Sequence, residues 1–253
     1  MDPKEAAARK ALERVEDGMT IGLGTGSTAV FFIRALGEKM RAAGWTVRGV
    51  PTSERSGSLA QEVGIPVVDL PAAGLLDLTI DGADEADGAL NLIKGGGGAL
   101  LREKLVAADA REFIVICDYT KFKETLGAFP LPVAIVPYGW GTTAARLARY
   151  GVEINLRQTS IQLSGQKGMN TAQPPQGRAG GGAVSTEELR PFVTDDGLYI
   201  LDMHFGRIED PARLEREIKQ TTGVVDVGLF VGLTSRLILG YEDGHTDTIL
   251  PKR

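Results

Sequence analysis

Met19-Thr20-Ile21-Gly22-Leu23-Gly24-Thr25-Gly26-Ser27-Thr28 decides how the chain is read. Met19 to Leu23 is a short apolar run with a β-branched member, the pattern of a buried strand. Gly24 to Thr28 is a turn of glycines and hydroxyls, and the stretch from Ala29 to Ala43 behind it reads as a helix. A strand handed through a tight turn to a helix is the unit of a parallel sheet. The alternation continues outward. Lys4 to Glu16 predicts a helix ended by Gly18, Val47 to Val50 a strand, and Thr52 to Val63 a helix stopped by Gly64. Val67 to Leu70 and Leu76 to Ile80 read as buried strands, Ala99 to Ala108 as a helix, and Phe113 to Cys117 as an apolar strand. Short continuous apolar strands between helices predict an α/β fold with a parallel sheet covered on both faces.

The texture changes at Phe129-Pro130-Leu131-Pro132. Val133 to Val136 predicts a strand and Thr142 to Tyr150 a helix ended by Gly151. Val193 to Leu201 predicts a hairpin with a type I′ turn at Asp196-Gly197. Asp210-Pro211 opens a helix, Asp as cap and Pro in the first turn, and Gly223 closes it. These elements predict a second, smaller α+β domain over 129–227, the first domain being 1–128 plus 228–253. The runs Gly228 to Gly232 and Leu237 to Tyr241 are expected to rejoin the first sheet. Gln158 to Leu189 fits neither pattern. It has five glutamines, Pro174-Pro175 and Gly180-Gly181-Gly182, and no aromatic residue. Such a composition buries too little apolar surface to offset its ordering entropy, so an atypical loop is expected at about 158–190. Ser185-Thr186-Glu187-Glu188 has the capping-box pattern and predicts one helical turn.

Composition excludes several functions. The chain has 253 residues and a net charge of −5, which argues against nucleic acid and anionic membranes as partners. A single cysteine, Cys117, permits no intrachain disulfide, and with two histidines it makes no Cys/His zinc cage. Cys117 is expected in the core, and His204 and His245 belong to no ligand pattern. No apolar run approaches the roughly 20 residues that span a bilayer, and the start resembles no signal peptide, so a cytoplasmic protein is expected.

The 33 glycines concentrate in loops that chemistry would need. Gly24-Thr25-Gly26-Ser27-Thr28 brings backbone N–H groups, a helix N-terminus and hydroxyls to an anion, which suits a phosphate monoester. It lacks the Lys-Ser/Thr pair of a Walker loop and the third glycine of a dinucleotide fingerprint, which counts against a nucleotide-dependent oxidoreductase. Asp81-Gly82-Ala83-Asp84-Glu85 follows the strand ending at Ile80, at the edge where open α/β sheets bind ligands. Its carboxylates could hold sugar hydroxyls, share a proton or bind a metal. Lys94-Gly95-Gly96-Gly97-Gly98 places a cation before a run that lets backbone and ligand meet closely. Glu103 follows on the next helix, where Arg-Glu-Lys alone would read as a solvated face. A phosphate cradle, paired carboxylates, a lysine and a further carboxylate at one sheet edge suit proton transfer beside a sugar carbonyl.

Gly-Leu-Gly-Thr-Gly-Ser-Thr-Ala (22–29), Asp-Gly-Ala-Asp-Glu (81–85), Lys-Gly-Gly-Gly-Gly-Ala-Leu-Leu-Arg-Glu-Lys (94–104) and Gly-Val-Val-Asp-Val-Gly-Leu-Phe (223–230) resemble the type A ribose-5-phosphate isomerase family, over about residues 4–157 and 191–253. The resemblance implies a Rossmann-like parallel-sheet domain with a second, smaller α+β domain, in a homodimer or homotetramer. It implies interconversion of ribose 5-phosphate and ribulose 5-phosphate through an enediolate, in the non-oxidative pentose phosphate pathway, with no cofactor and no metal. By motif, Thr25, Gly26, Ser27 and Thr28 would hold the phosphate and nearby atoms. Asp81, Gly82, Ala83 and Asp84 would meet the sugar hydroxyls, with Asp81 and Asp84 assisting ring opening. Lys94, Gly95, Gly96 and Gly97 would stabilise the oxyanion, and Glu103 would be the base. Lys121 would bind substrate, and Lys4 would approach the phosphate. The resembling family passes from Leu156-Arg157 to the hairpin in far fewer residues, so 158–189 is read as a tolerated surface loop. The alternative is a non-catalytic sugar-phosphate sensor of the same fold, against which the acidic charge and the absence of an N-terminal helix-turn-helix pattern count.

Overall fold

The computed structural model describes residues 1–162 and 187–251. A six-stranded sheet forms the larger layer, in the order Thr246–Ile249, Arg236–Gly240, Phe113–Asp118, Leu78–Asp81, Thr20–Leu23, Arg48–Pro51. Five strands run parallel, and only the edge strand Thr246–Ile249 is antiparallel to its neighbour. Thr20–Leu23 and Leu78–Asp81 are buried along their whole length, as strands covered on both faces must be. Helices Pro3–Leu12, Ser27–Ala43 and Glu54–Glu62 cover one face through Ala7, Ala11, Phe32, Ile33, Leu36 and Leu59. Gly240 is required here, because a Cβ would collide with the backbone carbonyl of Pro3.

The second sheet is antiparallel, in the order Val224–Val227, Leu131–Ile135, Tyr199–His204, Glu153–Leu156. Leu147 and Ile218, from helices Trp140–Leu147 and Pro211–Lys219, fill its core with Val133, Leu201 and Met203. Asp210 caps the latter helix through its side chain, with Pro211 in the first turn. The helix Leu100–Ala108 lies in the seam between the layers. Leu100 packs on Ala134 and Ile200 of the small sheet, and Val106 on Val50 and Leu76 of the large layer. A short third sheet, Leu229–Phe230, Leu92–Ile93, Glu85–Asp87 and Phe122–Lys123, ties the site loops together. The fold is α/β, a Rossmann-like parallel sheet with a smaller α+β unit. Among the described residues no helix is long and apolar enough to cross a membrane.

Several local expectations are corrected. Val67 to Leu70 is no strand. Val67 makes one bridge to Gly49, and Asp69 precedes a short helix, Leu70–Ala73, in which Pro71 fixes the first turn. Asp196-Gly197 is a tight turn closed by Thr194, but only Gly197 has positive φ, so it is not type I′. Tyr199–His204 pairs with Leu131–Ile135 and Glu153–Leu156, not with a strand through Val193. The two ends of the expected loop are strands. Gln158–Gln162 pairs with Glu187–Pro191 as an antiparallel ribbon, so Glu187 and Glu188 are in a strand, not a helical turn. Residues 163–186, including Ser185 and Thr186, lie outside the described residues. Leu237 to Gly240 rejoins the first sheet as expected, whereas Leu229–Phe230 pairs with Leu92–Ile93 in the third.

Candidate active site

The chain goes from Thr20–Leu23 to a strand on one side of it, then to Leu78–Asp81 on the other. That reversal opens a crevice beyond the strand ends, and the first two glycine-bearing loops flank it. Gly24 is fixed by close approach: a Cβ there would strike the Asp81 carboxylate. Gly26 has φ +101 and precedes the helix Ser27–Ala43 without a side-chain cap, so nothing of its own covers the first N–H groups. Lys4 Nζ donates to Ser27 Oγ at 3.0 Å and brings a cation to the same helix end.

Opposite this cradle is a buried charge cluster. Lys94 Nζ donates to the Gly82 carbonyl at 2.5 Å. It lies 2.9 Å from Asp81 Oδ2 and 3.5 Å from Glu103 Oε1, all three side chains at most 5% exposed. The Phe230 ring lies 5.5 Å from the ammonium. Asp81 Oδ1 accepts from the N–H groups of Thr25 and Gly82, at 2.9 and 2.7 Å. Asp81 Oδ2 and Glu103 Oε2 are both buried with no hydrogen-bond partner among the described residues, but Asp81 Oδ2 has the Lys94 ammonium at 2.9 Å, whereas Lys94 comes no nearer to Glu103 than 3.5 Å, at Oε1.

Burial sets the protonation of this cluster. It pushes both carboxyls up, and Lys94 compensates only in part. Glu103 has the longer ion pair. It is pushed up to about 8, with the Asp81 and Asp84 charges adding to burial. Burial works against the Lys94 ammonium as well, but the Asp81 and Glu103 carboxylates outweigh it and hold its pKa above the usual lysine value. Two carboxylates around one ammonium leave a negative charge uncompensated, so burial favours a proton on the pair, and of the two only Glu103 lines the cavity.

Between cradle and cluster is a cavity of about 140 Å³. Its fourteen lining residues are Lys4, Thr25 to Thr28, Gly82 to Asp84, Lys94 to Gly97, Glu103 and Lys121. Every one was singled out from sequence. Asp81 is the exception: it stands behind Lys94, fully buried, and does not line the cavity. Asp84 accepts from Gly96 N–H at 2.7 Å, which fixes the glycine loop against the carboxylate loop. Lys121 arrives from a 3₁₀ turn, Tyr119–Lys121, capped by Asp118.

Three contributors escape sequence reasoning. Thr52, Ser53 and Ser56 surround Thr25 Oγ1 at 2.7, 2.8 and 3.0 Å and fix its rotamer. Arg157 donates to the Gly95 carbonyl at 2.7 Å and the Gly96 carbonyl at 3.1 Å. Phe192 packs where a Cβ on Gly98 would stand. No spacing rule joins these positions to the loops they serve. Cys117 is core, as expected, and burial pushes its thiol up to about 12. Among the described residues no three His, Cys, Asp or Glu are grouped to hold a metal ion.

Fold and cavity define a class: a Rossmann-like protein in which an uncapped helix end and a buried cluster of two carboxylates and a lysine face one small cavity. The family model of ribose 5-phosphate isomerase A (phosphoriboisomerase A) matches residues 48–244. A ribose-5-phosphate isomerase A of Ruegeria sp. is 46% identical over 244 residues, 96% of this chain and 85% of the relative. The solved ribose 5-phosphate isomerase A of Methanocaldococcus jannaschii is 36% identical with a TM-score of 0.82, covering 98% of this chain and 97% of that one. A D-ribose-5-phosphate isomerase in complex with phospho-erythronic acid is 34% identical with a TM-score of 0.83, covering 99% of this chain and 100% of that one. The chain belongs to the ribose 5-phosphate isomerase A family. Nothing in these likenesses supports the sensor alternative.

Proposed function

We propose that Glu103 moves the proton between C1 and C2 as this chain interconverts ribose 5-phosphate and ribulose 5-phosphate. The orphan Oε2 of Glu103, beside Lys94 and opposite the cradle, carries the reading. The phosphate sits at the start of helix Ser27–Ala43, on its N–H groups, Ser27, Thr28 and Lys4, with Lys121 near. Asp84 and the 82–84 backbone meet the sugar hydroxyls and assist ring opening. Asp81, behind them, holds Lys94 and the Thr25 turn in place.

In the open-chain aldose, Glu103 as carboxylate takes the C2 proton, and the electron pair moves to the carbonyl oxygen at C1. The enediolate's charge falls on Lys94 and the free N–H groups of the glycine loop. Glu103 returns the proton to C1 while the proton on the C2 oxygen passes to the C1 oxygen, which leaves the ketose. The neighbour's phospho-erythronic acid joins a phosphate to a carboxylate on a short chain, and this cavity has donors for both ends.

The pathway position is the non-oxidative pentose phosphate route, and the setting the cytoplasm, to be checked by cell fractionation. The division 1–128 plus 228–253 and 129–227 follows the two larger sheets. A homodimer or homotetramer is expected, and Val136, Tyr138 and Trp140 offer exposed apolar surface for it, Tyr138 being 94% exposed. Light scattering of the purified chain measures that state. Metal-stripped protein incubated with ribose 5-phosphate tests the reaction: ketose forms, and Glu103→Gln slows its formation by orders of magnitude. Wild-type turnover retained in that variant would remove Glu103 from the mechanism.

A further inference from the structure

We propose that Arg157 is the positioning residue of the glycine loop, orienting the Gly96–Gly97 peptide so that its N–H meets the developing oxyanion. This rests on the isomerase reading above. Four glycines in a row have no side chains to pack and more backbone freedom than any other sequence; one hydrogen bond closes the loop on itself, Gly98 N–H to the Gly95 carbonyl at 3.0 Å, and the Gly96–Gly97 peptide inside that turn is left to be fixed from outside. Arg157 does this from the small sheet. Its guanidinium forks onto Asp202, with Nε to Oδ2 at 2.9 Å and Nη2 paired to Oδ1. The remaining nitrogen, Nη1, donates to the carbonyls of Gly95 and Gly96. Its backbone is pinned too: Arg157 N–H donates to Ile200 O at 2.9 Å, and its carbonyl accepts from Phe192 N–H at 2.8 Å.

The consequence follows from peptide planarity. In a trans peptide, C=O and the next N–H point in opposite directions. Holding the Gly95 carbonyl orients Gly96 N–H, which is spent on Asp84. Holding the Gly96 carbonyl orients Gly97 N–H, which has no partner among the described residues and belongs to a residue lining the cavity. A cation on the carbonyl side also polarises that peptide and strengthens its N–H as a donor. Phe192 completes the clamp by packing on Gly98. Arg157 and Phe192 are also the two feet of the ribbon Gln158–Gln162 with Glu187–Pro191, so the atypical segment is rooted on the loop that serves the chemistry.

Arg157→Met, Arg157→Lys and Asp202→Asn test this, with kcat, KM and inhibition by phospho-erythronic acid and by inorganic phosphate as readouts. Arg157→Met is expected to lower kcat about 10- to 100-fold with KM within about threefold, since a transition-state donor is lost. Inhibition by phospho-erythronic acid, whose carboxylate would meet the oriented N–H, weakens about tenfold, and inhibition by phosphate alone stays within about twofold. Arg157→Lys falls between, because an ammonium cannot fork onto Asp202 and reach both carbonyls. Wild-type kcat in Arg157→Met beside an inactive Glu103→Gln overturns the proposal and leaves the isomerase reading standing. Parallel weakening of both inhibitors also overturns it, as that marks general disruption. If Arg157→Met fails to fold, Asp202→Asn decides: selective loss for phospho-erythronic acid supports the proposal, and unchanged kcat and inhibition overturn it. A wild type without turnover removes the reading and this proposal with it.

Discussion

Glu103 and Lys104 are neighbours on one helix, yet each belongs to an ionic cluster of opposite character. Glu103 joins Lys94 and Asp81, where two carboxylates share one ammonium and no side chain is more than 5% exposed. Lys104 joins Glu215, Asp226 and Lys219, with Lys104 Nζ 2.8 Å from both carboxylates and from the Val227 carbonyl. There two cations meet two anions, and Lys219 is half exposed. Phe230 lies beside both lysines, with its ring centroid 5.5 Å from Lys94 and 4.9 Å from Lys104. The same residue types thus do different jobs. Balanced charge at a half-exposed edge staples the helix to the small sheet; unbalanced, buried charge pushes a carboxyl towards its protonated form.

Substitution separates the two. Glu103→Gln is expected to cut kcat about 10²- to 10⁴-fold, the usual worth of a positioned base. Its melting temperature at pH 8 is expected to match or exceed wild type, because a poorly compensated buried charge is gone. Asp226→Asn should do the reverse, losing about 2 kcal/mol in chemical denaturation while kcat stays within about threefold, since the Lys104 ammonium loses a buried partner. A stable Asp226→Asn or an unstable Glu103→Gln would break the distinction.

The pH dependence of stability sharpens it. Burial raises the Glu103 pKa from 4.5 to about 8, so its stabilising protonated form is complete below about 4.5 and is lost as pH climbs through about 8. Asp226 has the opposite sign. Burial works to raise its pKa, but Lys104, with the Val227 N–H and Lys219, outweighs it and lowers it below 3.8. Its contribution is present above 3.8 and is lost as pH falls through the lowered folded value. Denaturation followed from pH 5 to 9 should show wild type weakening relative to Glu103→Gln and keeping pace with Asp226→Asn. The smallest effect is expected at Lys219→Met. It removes only the half-exposed member of the balanced cluster and should cost about 0.5 kcal/mol, read in the same denaturation curves.

How much was legible differs between the loops and their supports. Gly24 to Thr28, Asp81 to Asp84 and Lys94 to Gly97 stood out because glycine clusters and bunched polar residues after apolar strands have few structural uses. The strand-end rule of parallel sheets places only the first two of these loops; Lys94 to Gly97 follows Leu92–Ile93 of the third sheet, so its convergence with them rests on the resemblance and on tertiary structure. The burial of Asp81 was not legible. A carboxylate facing ligand and one facing a buried lysine thirteen residues on read alike in sequence. Arg157, Thr52, Ser53 and Ser56 reach the site only through tertiary contact. The errors have physical causes too. Val67 to Leu70 has strand-forming residues, but Pro71 sets a helical first turn. The glutamine-rich segment was judged on its average composition, while its two ends pair with each other and need no core to satisfy their backbone.

The central claim is that Glu103 is the base and that its dry, undercompensated setting tunes it. The dependence of kcat/KM on pH for ribose 5-phosphate tests this most directly, because it reports the essential groups of the free enzyme. kcat/KM is expected to rise with pH through an inflection near 8, where Glu103 gives up its proton, and Glu103→Gln to lack that limb. A profile already level from about pH 6 upward would place the base in the ordinary carboxylate range and contradict the account.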